Sequence, residues 1–357
     1  LFTLLFIGYD VYNEKIRIYS IHVGYLYLLF YCFSVLYMLT YFYSDSKVYA
    51  VIKVRGFILN TIAFTFPITS VKIQDYKKII TILTTFAFFI IGFLGFLLYN
   101  DLFDLVKMSD DDQLNLFFTI LPTYLDFGAF IAISFILLLH NNSILSIIFK
   151  AIIFYFLILL GGRGPLLSLI FIIILNYLIN NKKVKLTGYF KYGLLFILAI
   201  VLYMYFDLTF IDFERFNVVK NYGSDESVNS RFEFIQKCLE GFIAQPIFGN
   251  GIGTTGLLIS GQDIVLYPHN LFVEVLSEFG LVGFFLYLFL FLFFLWIVVI
   301  KKVSAVYIPF LFIVLYLFIQ DMKSGAFEAW RISCGWLSVA TVFLNYNFKT
   351  IESIDED

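Results

Sequence analysis

Runs of about 20 apolar residues recur along this chain, and a helix of that length crosses a hydrocarbon core of about 30 Å. Backbone polar groups inside lipid must be satisfied within the segment, which makes such runs helical. The composition agrees, because 61% of the 357 residues are hydrophobic and 14% are charged. Soluble domains have about 45 to 50% apolar and about 25% charged residues. The sequence predicts an all-α, polytopic protein with a single membrane domain over residues 1–357.

We predict about 11 transmembrane helices from these runs. The full-length runs cover residues 19–43, 79–99, 116–139, 143–161, 189–206, 278–300, 303–320 and 331–348. The shorter or interrupted runs cover residues 1–9, 56–70 and 165–180. Because the chain begins at Leu1 within an apolar stretch, we expect a truncated N-terminal span.

The distribution of Lys and Arg predicts the orientation. Successive spans alternate sides, and the side with more basic residues in short loops is cytoplasmic. One set of short connections holds 13 basic residues, and the opposite set holds six, among them Lys53. The Gly161–Pro165 break and the long loop 207–270 therefore face outward. We found no internal repeat of the kind common in transporters, so this one-sided polar chemistry favours an enzyme.

Charge, cysteine and histidine content exclude several other classes. The net charge of −2 gives no reason to expect a nucleic-acid partner. Cys32, Cys238 and Cys334 form no credible disulfide framework. Of three histidines, His269 alone falls on the outer face, and the clustering that a zinc site needs is absent from the sequence. We therefore expect no metal and no cofactor.

The segment Gly161-Gly162-Arg163-Gly164-Pro165 is the first candidate for a binding site. Its glycines let a ligand approach the backbone, and Pro165 suits the first turn of the next helix. The N-terminus of that helix favours an anion, and the Arg163 guanidinium matches phosphate oxygens. The alternative is a plain helix hairpin whose arginine extends to the surface.

The outer loop provides two further arginines. Ser230 and Glu233 have the spacing of a capping box, which predicts that an amphipathic helix starts at Ser230. Arg231 would then lie in the first turn, where a cation opposes the helix dipole. A residue in such an unfavourable position gives a weak indication of a functional role. Arg215 is a second candidate phosphate contact, or equally a solvated charge.

The third candidate comprises a glycine-rich turn, 246–253 with Gly249 and Gly251, and the motif Pro268-His269-Asn270. The pattern predicts one continuous helix over 271–300, about 45 Å long. His269 at its start would stand above the lipid, with its imidazole kept neutral by the helix N-terminus. It is either a general base or a capping residue.

Three carboxylates complete the candidates. Glu274 and Glu278 share the helix face below His269, and either orients this histidine or lies in the interface. Asp126 lies near mid-span, where Lys150 on the next span is its expected structural partner.

Four motifs, taken in order, resemble the O-antigen polymerase and O-antigen ligase family. They are GGRGP at 161–165, RFEF from 231, PIFGNGIG at 246–253 and PHNLFVEVLSEFGLVG at 268–283. The resemblance covers 161–283 as the family-like catalytic region. It implies a glycosyltransferase of the bacterial inner membrane whose active site faces the periplasm and whose substrates are undecaprenyl-diphosphate-linked glycans.

The resemblance also implies roles for individual residues. Arg163 and Arg231 would hold the diphosphate, with Arg215 as a further contact, and His269 would be the essential residue near the acceptor hydroxyl. Asn270, Glu274, Gly249 and Gly251 would support them. Candidate partners are the lipid-linked glycan donor and acceptor, the bilayer and a chain-length-regulating co-polymerase.

Three functions stay open at this point. The leading one is polymerisation of lipid-linked repeat units into O-antigen, capsule or exopolysaccharide. The first alternative is a ligase that transfers the glycan to the lipid A core, and the second is a lipid-linked oligosaccharide flippase. Some polymerases of the family have an Arg and a Gly separated by ten residues, whereas nine separate Arg231 from Gly241.

Overall fold

The computed structural model describes residues 21–70, 76–100, 124–161, 163–180, 226–300, 307–324 and 330–344. Regular structure in these ranges is helical throughout, without a strand, and this confirms the predicted all-α class. Four of the described helices are long and apolar enough to cross a membrane, and five shorter ones are also apolar. The chain is a membrane-embedded protein, while the number of eleven spans stays a prediction.

The described helices are, in chain order, α1 (Ile21–Leu39), α2 (Val48–Ser70), α3 (Tyr76–Tyr99), α4 (Tyr124–Leu137), α5 (Ile144–Leu159), α6 (Arg163–Asn180), α7 (Glu226–Ala244), α8 (Thr255–Ser260), α9 (Leu271–Ile300), α10 (Ile308–Ser324) and α11 (Arg331–Leu344). They belong to two compact units. The first unit comprises Leu1–Lys78 and Gly223–Asp357, and the second comprises Ile79–Tyr222. The predicted spans 1–9 and 189–206 lie outside the described residues.

An aromatic core holds the first unit together. Phe30 of α1 stacks on Phe64 of α2 with ring centroids 3.8 Å apart, and Tyr37 stacks on Phe57 at 4.2 Å. Phe279 of α9 lies 4.4 Å from Tyr37. Because lipid supplies no hydrophobic drive between helices, such van der Waals packing is what fixes α1, α2 and α9 against one another.

Helix α2 is longer than predicted. The apolar run 56–70 predicts that the helix starts near residue 56, but the helix begins at Val48 and includes Lys53. The prediction that Lys53 belongs to a polar loop was wrong, because its ammonium group is neutralised inside the unit, as described below. Pro67 lies inside this helix.

Helix α9 is interrupted, so the predicted continuous helix of about 45 Å was also wrong. Gly280 has φ 62° and ψ −161°, which is not helical, and it divides α9 into two segments. A Cβ atom at this position would overlap the carbonyl group of Ile247. The break therefore results from a neighbouring segment that approaches the helix backbone here.

The second unit contains the predicted glycine break between α5 and α6. Gly161 has φ 67°, a conformation that glycine tolerates, and α6 begins at Arg163 with Pro165 in its first turn, as predicted. Pro165 packs against Gly128 of α4, where a Cβ atom would come within 3.0 Å of the proline ring. The Lys150 ammonium group donates to the carbonyls of Leu138 and Asn141, while its pairing with Asp126 stays a prediction.

Candidate functional site

The glycine-rich turn 246–253 binds to the break in α9 through its backbone. The N–H groups of Asn250 and Gly251 donate to the carbonyls of Ser277 and Glu278, each at 2.9 Å. In return, the N–H groups of Leu281 and Val282 donate to the carbonyls of Pro246 and Ile247. The turn thus satisfies polar groups that the break releases, which a membrane helix requires.

Glycine is needed at positions 249 and 251 because other backbone segments lie directly against the turn there. Gly249 and Gly251 have φ values of 70° and 92°. A Cβ atom at Gly249 would overlap the backbone of Glu278, and one at Gly251 would meet the backbone of Ser44 at 2.8 Å. Both glycines therefore serve contacts within the protein, and their predicted support of a ligand stays a prediction.

A buried ion network lies directly below the turn. The Lys53 ammonium group is 2.5 Å from the Glu274 carboxylate and 2.6 Å from that of Glu278, and all three side chains have no exposed surface. The Glu278 carboxylate also accepts from the Gly253 N–H at 3.0 Å and from the Thr255 hydroxyl at 3.2 Å. The network thus ties α2, α9 and the glycine-rich turn together.

Sequence reasoning missed Lys53 as part of this region. Its positive charge appeared to mark a loop, although apolar residues surround it in Val48–Val54. The available signal was the pair Glu274 and Glu278, which lie one helical turn apart and share one face. Two carboxylates on an apolar helix need a cation, and an isolated lysine among apolar residues supplies one. Neither carboxylate lies in the lipid interface, since both are fully buried.

Asp263 anchors the loop between α8 and α9 to the start of α2. Its carboxylate accepts from the N–H groups of Lys47 and Val48 at 2.6 and 2.7 Å, and from the Ser46 hydroxyl at 2.7 Å. Burial raises the pKa of Asp263, but these hydrogen bonds outweigh it and hold the pKa well below its usual range. The carboxylate is therefore charged at neutral pH and caps the N-terminus of α2.

His269 lies at the end of this loop in a strained conformation. It has φ 53°, which L side chains rarely adopt. Its ring packs against that of Tyr267, with centroids 4.4 Å apart. The following residue, Asn270, caps α9, since its side-chain oxygen accepts from the Val273 N–H at 3.2 Å. Asn270 thereby fixes the helix start next to the histidine. Its predicted support of the catalytic residues stays a prediction.

Arg231 of α7 is close enough to His269 to change its acidity. Burial first, and then the Arg231 charge, lower the pKa of His269 to about 4. The imidazole is therefore neutral at neutral pH, as the sequence predicted, although for a different reason than the helix N-terminus. A neutral imidazole next to a fixed cation can accept a proton or a hydrogen bond while the cation binds an anion.

Helix α7 starts at Glu226, so the predicted start at Ser230 was wrong. The helix continues through Ser230 without interruption. Glu233 pairs with Lys237 at 2.8 Å. Arg231 is thus the sixth residue of α7, and the argument from an unfavourable first-turn position does not apply.

The other two predicted arginines belong to residues 79–222, the second unit. Arg163 is the first residue of α6 in the second unit, and its side chain is outside the described part of the chain. Arg215 lies outside the described residues as well. The structure therefore brings Arg231 and His269 together, and a shared site with Arg163 and Arg215 stays a prediction. Among the described residues, no group of three or more His, Cys, Asp or Glu side chains could hold a metal ion.

Comparison with known proteins gives one family. Residues 148–288 match the family model described as O-Antigen ligase. No curated protein matches the chain significantly. The match includes α5, α6, α7, α8 and the first part of α9, with Arg231 and His269 among its residues. It confirms the resemblance that the four motifs carry and supports O-antigen ligase or polymerase activity, that is, a glycosyltransferase-like enzyme of O-antigen processing.

Proposed function

We propose, from the match of residues 148–288 to the O-antigen ligase family model, that this protein is a polysaccharide polymerase. It joins undecaprenyl-diphosphate-linked oligosaccharide repeat units into O-antigen, capsule or exopolysaccharide on the outer face of the bacterial inner membrane. The observation that supports glycosyl transfer is His269 at the start of α9, with the Arg231 charge near enough to add to burial in lowering its pKa. One group suits an acceptor hydroxyl and the other suits a diphosphate.

The reaction is a displacement at the anomeric carbon of the donor glycan. The hydroxyl oxygen of the acceptor sugar forms the new glycosidic bond as the bond to the diphosphate oxygen breaks. The hydroxyl proton passes to a ring nitrogen of His269, and undecaprenyl diphosphate leaves with the bonding electron pair. Attack opposite the leaving group inverts the anomeric configuration.

Arginine side chains take the place that a metal ion has in many phosphate-transfer sites. Arg231, together with Arg163 and Arg215, stabilises the negative charge that develops on the diphosphate. Because the donor arrives already activated on a lipid diphosphate, neither a nucleotide nor a metal is required. We therefore expect activity to persist in excess chelator.

The alternative function is a ligase, and the description of the matched family favours it as the second candidate. A ligase uses the same diphosphate donor and the same chemistry, but it hands the glycan to the lipid A core. The two enzymes differ in the acceptor alone, so products distinguish them. A flippase would move the lipid-linked glycan without forming a glycosidic bond.

Reconstitution of the full chain in vesicles tests the proposal. The sole substrate is a lipid-diphosphate repeat unit, with chelator present, and products are separated on a gel. A polymerase gives a ladder of repeat units, and Arg163→Ala abolishes it. Product that forms only after lipid A core is added would establish a ligase, and a glycan that crosses the membrane without any new bond would establish a flippase.

Arg55→Ala is the matched control for the arginine substitution. Arg55 is an exposed residue of α2, outside the residues that match the family. Its loss removes the same charge and should leave the ladder intact. A ladder that survives Arg163→Ala would remove that arginine from the proposed diphosphate site.

A further inference from the structure

Helix α7 has three distinct sides rather than the two of a simple amphipathic helix. One side packs on the first unit and buries Cys238 and Gly241. The carboxylates of Glu278 and Glu274 lie near enough to this side that they add to burial in raising the pKa of the Cys238 thiol to about 12. The rest of the helix surface is exposed and is divided between apolar and polar side chains.

The exposed apolar side chains form one edge of α7. Phe232 is 58% exposed and Ile243 is 73% exposed, and Leu239 is exposed between them. At about 100° per residue, these three positions fall within an arc of about 40°. We refer to Phe232, Leu239 and Ile243 as the apolar edge.

The exposed polar side chains form the neighbouring edge. Glu233, Gln236 and Glu240 are all exposed. Glu233 pairs with Lys237, and the Gln236 amide donates to the Glu240 carboxylate at 2.9 Å. This polar edge is adequately satisfied in water, whereas the apolar edge beside it is not.

The apolar edge continues into the turn that follows α7. Ile247 and Phe248 are 58% and 59% exposed. The Ile247 carbonyl accepts from the N–H of Val282 in α9, and the Phe248 carbonyl accepts from the Tyr43 hydroxyl at 2.7 Å. Both partners lie beside membrane helices, since Phe42 ends one candidate span and Val282 lies within another.

Helix α9 extends this surface into its membrane span. Its exposed large apolar side chains form a single stripe at helical spacing: Leu281, Phe285, Phe289, Leu292 and Trp296. Such a stripe on a span of this length faces lipid. The apolar edge and the turn tip are thus continuous with a lipid-facing surface.

We propose that the apolar edge of α7, with Ile247 and Phe248, inserts into the lipid leaflet on the side where the glycine-rich turn lies. This surface contacts the acyl chains of the lipids. The helix lies along the interface, with its apolar edge at the boundary of headgroups and acyl chains, its polar edge towards water and its third side on the protein. Interfacial helices are immersed by about 5–10 Å in this manner.

This placement has a consequence for the catalytic region, and the consequence rests on the proposed function. Arg231 is part of α7, so its guanidinium lies at the depth of the lipid headgroups. A diphosphate that is anchored by a polyprenyl chain lies at the same depth. The site would accordingly select a phosphate on a lipid over the same phosphate free in solution.

Fluorescent labelling of single cysteines tests the insertion independently of activity. The full chain carries Cys32→Ser, since Cys32 is exposed while Cys238 and Cys334 are buried and remain unlabelled. Ile243→Cys places an environment-sensitive label on the apolar edge, and Glu240→Cys places it on the polar edge of the same helix. Phe248→Cys is a second apolar position, in case Ile243→Cys does not fold. Vesicles contain either lipids with a quencher on the acyl chain or iodide in the aqueous phase.

We expect the labels at positions 243 and 248 to emit at shorter wavelength, to be quenched by acyl-chain quenchers and to be protected from iodide. The label at position 240 should behave in the opposite way. Equal quenching of both edges by iodide, or apolar positions that neither quencher reaches, would overturn the proposal, because the edge would then contact water or protein. Since no turnover is measured, failure of the proposed function would leave this result unchanged.

Discussion

Lys53, Glu274 and Glu278 have no exposed side-chain surface, and each charge depends on the others. Replacing Lys53 by Met would leave two carboxylates buried without a cation. Removing one partner of a buried ion pair costs about 3–5 kcal/mol. We expect Lys53→Met to lower the free energy of unfolding by this amount, measured by denaturation in detergent micelles.

Two further variants show whether uncompensated charge causes the loss of stability in Lys53→Met. The combined substitution Lys53→Met, Glu274→Gln and Glu278→Gln removes the whole network and should recover most of the loss, because no uncompensated charge remains. Arg55→Met, at an exposed position two residues away, should have little effect. A triple variant as unstable as the single one would show that packing of the lysine stem, and not charge, is what matters.

The acidity of His269 is a second property of individual residues. Burial and then Arg231 lower its pKa to about 4, and in the proposed reaction the imidazole accepts a proton only when it is neutral. Wild-type kcat/KM should therefore hold constant as pH falls from 7 and decline only near pH 4. Arg231→Gln removes the smaller of the two causes, so the pKa should rise partway towards the ordinary value of about 6.5.

The measurement is the pH profile of kcat/KM, which reports groups of the free enzyme. The acidic limb should move to higher pH in Arg231→Gln, whatever happens to the maximal rate. Lys237→Gln, a lysine on the same helix, is the control and should leave the limb in place. An acidic limb that stays in place in Arg231→Gln would mean that the titrating base is not His269.

At the scale of elements, the break in α9 is the feature that positions the glycine-rich turn in the first unit. Gly280 has a positive φ, and its missing side chain makes room for the Ile247 carbonyl. Gly280→Ala should therefore displace the glycine-rich turn 246–253. The free energy of unfolding should fall by more than about 1 kcal/mol, the usual size of the effect of a glycine-to-alanine change in either direction.

Gly24→Ala is the matched control in the same unit. Gly24 lies in α1, and an added Cβ atom would meet no heavy atom within 4 Å. The substitution should be neutral or stabilising, because alanine favours the helix. Melting temperatures of the two variants in micelles provide the comparison, and equal melting temperatures would contradict the account of the break.

Sequence reasoning identified elements more successfully than their ends. Hydrophobic length predicted α3, α5 and α11 to within a few residues, because an apolar run in lipid has no alternative to a helix. It failed where a charge or a glycine depends on a distant partner. Lys53 is paired 221 residues away in sequence, and Gly280 breaks its helix because Ile247 approaches it.

At the scale of the whole molecule, the candidate site could be predicted in part. The motifs single out His269 and Arg231 as candidates, and in the structure the Arg231 charge is close enough to lower the pKa of His269; their catalytic roles stay predictions. The buried network below them depends on α2, which precedes the family match and carries no recognisable motif. The paired carboxylates indicate that a cation is needed, but only tertiary packing determines that Lys53 is the lysine that meets them.

The account as a whole depends on His269 acting in glycosyl transfer. The most direct test compares wild-type protein, His269→Ala and His140→Ala in vesicles supplied with the lipid-diphosphate repeat unit. Each is first shown to be monodisperse in detergent. His140 is the control because it is an exposed histidine of the second unit.

We predict that His269→Ala lowers the rate of transfer by about 10²–10⁴-fold, the usual contribution of a general base, while His140→Ala retains the wild-type rate. Transfer by His269→Ala at the wild-type rate would contradict the account.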